Sequence, residues 1–219
     1  MIKIFKPSLE AINETALALL NNGIVVVPTT RWYMIFSKAE NQECIERIYS
    51  AKKRPINKPP LFVLPKKTFA KEYFKIENGA EQLIQKLWPG ELTMLLQWAN
   101  PSIASQYKAF NQTYAMAINP PGLFGEIANT LLAPLAATTV NISESFDKNS
   151  LGPAITLNEV MLFIQKTGIK VDVIIDGGIC PTFMPTTIVD CQFEGQNPKI
   201  IREGFVHERA INVALYTNA

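Results

Sequence analysis

Apolar positions follow a helical period near the start of the chain and a strand-like run directly after it. Over residues 8–22 the apolar side chains include Ile12 and Leu19, at the spacing of one helix face. Ser8 precedes this face as an N-cap residue, and Gly23 follows it with the freedom to adopt the positive φ of a helix end. The next segment, GIVVVP, is a β-branched run closed by a proline. This pattern predicts a helix that leads into a short buried strand.

The remaining sequence predicts more helices and strands. One helix begins at Asn41 and is closed by Pro55. Another begins at a capping box of Thr156 and Glu159 and ends near Lys166. Helical stretches are also expected at 66–74, 79–87 and 122–132. Strands are expected at 61–64, 92–98, 113–118, 133–140, 171–176, 186–191 and 199–202. Because strands and helices alternate early and strands dominate later, we predict an α/β protein with helices packed on a twisted mixed sheet, as one domain over residues 1–219.

Composition narrows the class of protein. The 219 residues are 47% hydrophobic, which supports a substantial core, and the mean hydropathy of +0.08 is ordinary for a globular protein. Apolar runs such as 24–27 are far too short to span a bilayer, and residues 1–13 do not resemble a secretory signal peptide. We therefore expect a cytoplasmic protein without a membrane partner. The three cysteines form no CxxC pair, which argues against a disulfide framework and a structural zinc site.

The single histidine, His207, lies near the C-terminus. Histidine-based metal sites and Ser-His-Asp triads need imidazoles that the sequence does not offer elsewhere. An enzyme of this composition would act mainly by positioning its substrates and by stabilising charge. Lysine, arginine, hydroxyl groups and backbone amides would do this work.

Positive charge is concentrated in one stretch, although the net charge is only +2. Between positions 52 and 75 a single acid, Glu72, is set against eight cations: Lys52, Lys53, Arg54, Lys58, Lys66, Lys67, Lys71 and Lys75. Such a cluster favours an anionic partner, either nucleotide phosphates or a nucleic-acid backbone. The alternative interpretation is a solvated surface with lysine-rich helix ends.

Two segments carry candidate chemistry. In the loop SAKKRPINKPP, Lys52, Arg54 and Lys58 lie between a helix and a strand and are stiffened by prolines, a suitable arrangement for binding phosphate. In ATTVNIS, Asn141 and Ser143 alternate with Thr139, so their side chains point the same way at the end of a buried strand. A further arginine, Arg202, offers one more phosphate contact near the end of a short strand. The alternatives are cations that complement a helix C-terminus, an ordinary strand end and a simple turn.

Taken in order, these segments resemble one family. The chain reads VVVPTTRWYMIF, AKKRPINKP, WPGELT, ATTVNIS, DGG, TTIVD and IIREG. This is similar to the PTxT-xYG, KxRPxxKP, WPGPLT, SxN, DGG, STxVD and RxG segments of the YrdC-type threonylcarbamoyl-AMP synthase family, over roughly residues 8–205. The resemblance implies a twisted open α/β sheet with flanking helices around a basic concave cavity. It also implies an enzyme that joins ATP, bicarbonate and L-threonine to give threonylcarbamoyl-AMP and pyrophosphate, for modification of adenosine 37 in tRNA.

The resemblance implies a preserved nucleotide half of the site. Lys52 and Arg54 stand at positions that would bind the triphosphate and stabilise charge during catalysis. The other positions implied to bind nucleotide are Lys58, Thr113, Thr139, Asn141, Ser143 and Arg202. ATP would be a substrate, and Mg²⁺ would be held mainly by its phosphate oxygens.

The amino-acid half of the site departs from the family pattern. Arg31 replaces the second Thr of PTxT, and Ala117 replaces an Arg that would hold the threonine carboxylate. Tyr33 matches the family, whereas Thr186 replaces a Ser. These four residues are the candidate contacts to the acceptor, which is threonine or another amino acid. Arg31 could restore the lost charge from the opposite wall, or the amino acid could differ.

Two other functions stay open. The chain could be a non-catalytic member that binds nucleotide or double-stranded RNA, since some members of the family are described as binding such RNA. It could also be a carbamoyl-transfer relative that delivers the group to another acceptor. Release of pyrophosphate separates the binding protein from the two enzymes, and dependence on added amino acid separates the two enzymes.

Overall fold

Ten strands join into one sheet in the computed structural model, which describes residues 1–143, 151–193 and 195–216. The strands are β1 Lys3–Phe5, β2 Val25–Pro28, β3 Tyr33–Lys38, β4 Leu61–Val63, β5 Leu92–Gln97, β6 Tyr114–Ile118, β7 Leu135–Thr139, β8 Val173–Ile175, β9 Thr187–Asp190 and β10 Lys199–Arg202. The helices are α1 Leu9–Leu20, α2 Gln42–Lys52, α3 Ala70–Tyr73, α4 Asn78–Leu87, α5 Pro101–Gln106, α6 Gly122–Leu131, α7 Leu157–Thr167 and α8 Glu208–Tyr216, with a 3-10 turn at Lys67–Phe69.

The order across the sheet is β1-β8-β2-β3-β7-β4-β6-β5-β9-β10. Parallel pairing joins β1 to β8, β8 to β2, β4 to β6 and β5 to β9, and the other neighbours are antiparallel. The sheet is therefore mixed and open, with β1 and β10 at its edges. This confirms the predicted α/β class.

Local capping chemistry sets several helix ends where the sequence predicts them. The Ser8 hydroxyl accepts a hydrogen bond from the Ala11 amide at 3.1 Å, and the Asn41 side chain accepts one from the Cys44 amide at 3.0 Å. The capping box before α7 is also confirmed, because the side chain and backbone of Thr156 exchange hydrogen bonds with those of Glu159. Each bond satisfies an amide that has no acceptor within its own helix.

Strand alternation divides the core between the two faces of the sheet. Met34 and Phe36 on β3 pack with α1 and α6 on one face, whereas Tyr33 and Ile35 pack with α2 and α7 on the other. Farther along the second face, the ring of Phe62 on β4 is surrounded edge-on by five aromatic rings with centroids 5.1–5.4 Å away, those of Tyr73, Phe74, Trp98, Tyr107 and Phe110. Pairs of this geometry add about 0.5–1.5 kcal/mol each beyond the area they bury.

Four elements are not predicted by the sequence pattern: β1, β3, α5 and α8. The expected helix at 66–74 is instead a 3-10 turn followed by the single-turn α3. None of the helices in the described ranges is both long enough and apolar enough to cross a bilayer.

Candidate functional site

Lys52 is the last residue of α2, and its side chain is completely buried. Its ammonium donates hydrogen bonds to the backbone oxygen of Thr139 and to both the backbone oxygen and Oδ1 of Asn141, the last two at 2.8 Å. An ammonium has three N–H donors, so these contacts use all of them. The structure thus joins the two segments that the sequence singles out. Burial, and secondly the charge of Arg54, lowers the pKa of Lys52 to about 7.

The segment after β7 is also fixed to the end of α2 through its backbone. The amide of Ser143 donates to the carbonyl oxygen of Lys52 at 2.7 Å. The Ser143 hydroxyl is buried and has no hydrogen-bond partner within the described ranges, which leave out 144–150. The Thr139 hydroxyl lies on the same face of the sheet as the side chain of Met34, whose sulfur is 3.8 Å away. The end of β7 and the residues after it are therefore held against the end of α2, while the common direction of the Thr139, Asn141 and Ser143 side chains stays a prediction.

Arg54 closes the loop that follows α2. Its Nε donates to the carbonyl oxygen of Lys58 at 2.9 Å, and its Nη2 donates to that of Pro59 at 3.0 Å. The Tyr49 hydroxyl donates to the same Lys58 oxygen at 2.6 Å, and the guanidinium carbon lies 5.6 Å from the Tyr49 ring centroid. Two of the five guanidinium N–H groups are used in this way, and the side chain of Lys58 is exposed. Thr113 is exposed immediately before β6.

A second group of polar residues forms where β5, β9 and β10 meet. Nε and Nη2 of Arg202 donate to the carbonyl oxygen of Thr186 at 3.2 and 2.9 Å, and Nη2 also lies 3.3 Å from its hydroxyl. The Thr93 hydroxyl donates to the Thr186 hydroxyl at 3.0 Å. Arg202 and Thr186 are thus brought together, although the resemblance assigns them to different halves of the site.

Arg31 forms a buried ion pair with Glu91, with side chains 6% and 8% exposed. Nη1 of Arg31 donates to Oε2 of Glu91, and the hydroxyl of Thr30 donates to Oε1 at 2.9 Å. Burial, and secondly the charge of Arg202, lowers the pKa of Arg31 to about 10, so its guanidinium is charged at neutral pH. Sequence reasoning misses Glu91 as a site residue, although the signal is present. WPGELT has an acid where the family motif WPGPLT has a proline.

The start of β3 connects the two groups. Met34 pairs with Thr139 across β3 and β7, and Arg31 lies three positions before Met34. One short segment, from Arg31 to Met34, therefore links the residues around Arg31 to the residues that contact Lys52. Pro28, which pairs with Tyr33 of this segment, packs closely against the DGG turn. A Cβ on Gly177 would come 2.6 Å from the Pro28 ring.

Tyr33 and Ala117, two of the candidate contacts to an acceptor amino acid, are both fully buried. The Tyr33 side chain is fully buried, and its hydroxyl donates to the Gly178 carbonyl oxygen at 2.8 Å. Ala117 is also fully buried, paired with Phe62 on β4 and Met94 on β5 within the aromatic core. Because side chains alternate along a strand, Ala117 faces the aromatic core, and its neighbour Met116 faces the opposite side of the sheet. Ala117 therefore has no exposed surface, and its contact with an acceptor amino acid stays a prediction.

Carboxylate, histidine and cysteine side chains do not gather into a metal site in the part of the chain that the structure describes, where no three of them lie together.

Comparison with known proteins places this geometry in a family. The family model described as "Telomere recombination", which covers the Sua5, YciO and YrdC proteins, matches residues 17–204. A Methanocaldococcus jannaschii protein provisionally named threonylcarbamoyl-AMP synthase is 30% identical over 192 residues, covering 86% of this chain and 83% of that protein. The threonylcarbamoyl-AMP synthase of Bacillus subtilis is 23% identical over 205 residues, covering 93% of this chain and 56% of that protein.

Solved structures show the same fold. P. abyssi Sua5 in complex with L-threonine has a TM-score of 0.79 and 22% identity, covering 99% of this chain and 61% of that one. E. coli YciO has a TM-score of 0.75 and 20% identity, covering 96% of this chain and all of that one. The chain thus spans little more than half of the B. subtilis and P. abyssi proteins but the whole of YciO. With the family model matched from residue 17 to residue 204, the chain belongs to the Sua5/YciO/YrdC family.

Proposed function

We propose that the chain is an ATP-dependent synthase that makes threonylcarbamoyl-AMP, or a closely related carbamoyl-adenylate, from bicarbonate and an amino acid. The observation that carries the proposal is the contact of Lys52 with Asn141, which joins the two segments that the resemblance assigns to the nucleotide. Relatives named threonylcarbamoyl-AMP synthase support the same reaction. The product would serve the modification of adenosine 37 in tRNA, in the cytoplasm.

The reaction would proceed in two steps. The amine of the amino acid attacks the carbon of bicarbonate, and water leaves to give a carbamate. A carbamate oxygen then attacks the α-phosphorus of ATP, and pyrophosphate leaves. Neither step needs a protein nucleophile, so the chain would act by bringing the reactants together and by stabilising the charge of the phosphates.

The two cations of the loop after α2 would have different roles. Arg54 keeps N–H groups beyond those that close the loop, and guanidinium groups bind phosphate oxygens in pairs. Lys52 directs all its donors to Thr139 and Asn141, so we assign it the positioning of these residues. Lys58, Thr113 and Ser143 stay candidate contacts to the nucleotide. Mg²⁺, when bound, would neutralise the phosphates through their own oxygens.

Threonine is the first candidate acceptor, because P. abyssi Sua5 has been solved with L-threonine. On this chain the acceptor would meet the group formed by Arg31, Thr186 and Arg202. Here the guanidinium groups and the threonine hydroxyls offer donors to a carboxylate.

Pyrophosphate release from ATP tests the proposal, measured with bicarbonate and each of the twenty amino acids in turn. We expect release that needs bicarbonate, depends on one or a few amino acids and is lost in Arg54→Ala. Arg47→Ala on the exposed side of α2 is the matched control and should retain it. A chain that binds ATP without amino-acid-dependent release would be a binding protein instead. Release that needs a ready-made carbamoyl donor, such as carbamoyl phosphate, and no amino acid would indicate a carbamoyl-transfer relative.

A further inference from the structure

The group around Arg31 contains more positive charge than negative charge. Arg31 is paired with Glu91, but Arg202 is held by the neutral oxygens of Thr186 and joins no ion pair among the described residues. Two guanidinium groups thus share one carboxylate. The two pairs are neighbours, because the amide of Thr187, next to Thr186, donates to the Glu91 carbonyl oxygen at 3.2 Å, and the charge of Arg202 also lowers the pKa of Arg31. The unmatched charge belongs to Arg202, which is exposed beside the buried ion pair, and such a charge favours the binding of an anion from solvent.

One hydrogen-bond donor in this group also lacks an acceptor. Nε of Arg31 is buried and has no hydrogen-bond partner within the described ranges, and only 6% of the side chain is exposed. Leaving a buried donor unpaired destabilises the folded chain. An oxygen atom from a ligand would remove this destabilisation.

We propose that Arg31 and Arg202 form a seat for one oxyanion of a substrate, and that Glu91 sets the charge of this seat. The inference rests on the proposed function, because it names a contact within the same site. The anion is a carboxylate or a phosphoryl group, since guanidinium groups bind both through paired oxygens. Both partners of the ion pair depart from the family motifs, Arg31 from PTxT and Glu91 from WPGPLT. The ion pair is therefore a feature of this chain, whereas Arg202 stands at a motif position.

Substitutions at the pair should change anion binding in opposite directions. Glu91→Gln keeps an oxygen for Arg31 but removes the negative charge, so affinity for the anion should rise by about threefold or more. The double variant Arg31→Thr with Glu91→Gln keeps the local net charge but removes the donors, so affinity should fall by about tenfold or more. Combining the two changes avoids leaving the Glu91 carboxylate buried and unpaired.

The test is calorimetric titration of L-threonine, L-threoninamide and pyrophosphate into the wild type and these variants, with folding checked by thermal melting. The matched controls are Glu81→Gln, and Lys71→Thr with Glu81→Gln, in the exposed ion pair Lys71–Glu81, and these should not alter affinity. Opposite shifts for threonine, with threoninamide unaffected, identify the carboxylate as the ligand. Opposite shifts for pyrophosphate identify a phosphoryl group.

Other outcomes overturn the seat. These are a wild type that binds neither threonine nor pyrophosphate, equal affinities in all variants, and a loss in both variants alike. Glu91→Gln alone still decides if the double variant does not fold, because loss of structure cannot raise affinity. The titrations need no turnover. Opposite shifts in affinity without pyrophosphate release would therefore support the anion seat and contradict the proposed synthase activity. Pyrophosphate release with unchanged affinities would do the reverse.

Discussion

The side-chain nitrogen of Lys52 lies 2.8 Å from both the backbone oxygen and Oδ1 of Asn141, 89 residues further along the chain. The two segments are also joined by the backbone bond from Ser143 to Lys52. The end of α2 and the end of β7 therefore behave as one unit, and a change in either should disturb the other.

The stability of the chain should depend on pH through Lys52. Its pKa is lowered by burial from 10.5 to about 7, so between these values the unfolded chain binds a proton that the folded chain does not. The free energy of unfolding should therefore decrease as the pH falls from 10.5 towards 7, by at most about 1.4 kcal/mol per pH unit from this group. Lys52→Met should lose this part of the dependence, as measured by urea unfolding across the range. Lys53→Met at the exposed neighbour is the control, and parallel curves for Lys52→Met and wild type would contradict the prediction.

ATP affinity should fall at least about tenfold in both Arg54→Ala and Lys52→Ala, the loss expected from removing a charge-assisted contact or its support. The reasons differ, because Arg54 would contact phosphates whereas Lys52 holds Asn141. Arg54→Lys should not restore ATP binding. One ammonium cannot reproduce the two bonds from Nε and Nη2 to the carbonyl oxygens of Lys58 and Pro59 and also bind phosphate oxygens in pairs. Calorimetry with ATP is the measurement, and Arg47→Ala serves as the control. Wild-type affinity in either alanine variant would remove this loop from the site.

Ala117→Arg should prevent stable folding rather than restore threonine binding. The site is fully buried between Phe62 and Met94, so an arginine would be both oversized and unpaired there. Met116→Arg at the half-buried neighbour on the opposite face should fold, because its charge can reach solvent. Soluble yield and melting temperature distinguish the two. A stable Ala117→Arg protein that gains threonine affinity would show that the position opens into the acceptor pocket.

Any binding of duplex RNA should depend on salt and not on sequence. Five lysines of the cationic stretch are exposed, and four of them join no ion pair among the described residues: Lys53, Lys58, Lys66 and Lys75. Four phosphate contacts would lower affinity about a hundredfold between 50 and 200 mM salt. Changing these four to glutamine should remove most of the salt dependence. Lys71→Gln should have a smaller effect, because Lys71 already pairs with Glu81. Filter binding on two unrelated duplexes measures both properties, and an affinity that ignores salt would contradict the prediction.

What the sequence predicts well is chemistry within a few residues. The caps at Ser8 and Asn41 and the capping box before α7 depend on side chains and amides three positions apart, so local sequence is sufficient. Short β1 has no such signal. Its exposed side chains show no alternation, and the strand exists because Asp172 and the residues after it offer a parallel partner. That partner becomes neighbouring only once the sheet has formed.

The candidate site shows the same distinction. The order of the motifs is sufficient to group Lys52 with Thr139 and Asn141, because all three stand at positions that the family resemblance assigns to the nucleotide. The pairing of Arg31 with Glu91 depends on the loop before β3 reaching the start of β5, which sequence spacing does not reveal. The orientation of Ala117 is also not predictable, because alternation gives two faces without saying which is packed and which is open.

The position of β8 in the sheet has a consequence for synthesis on the ribosome. β1 and β2 do not pair with each other, and both pair with β8, whose Val173 lies opposite Val25. The partner of the first strands is therefore translated nearly 150 positions later, about ten seconds or more at ordinary elongation rates. Until then one edge of the apolar β2 has open backbone groups, the kind of edge that recruits other chains. A nascent chain stalled before residue 173 should consequently require chaperones, whereas release beyond β8 should relieve this need.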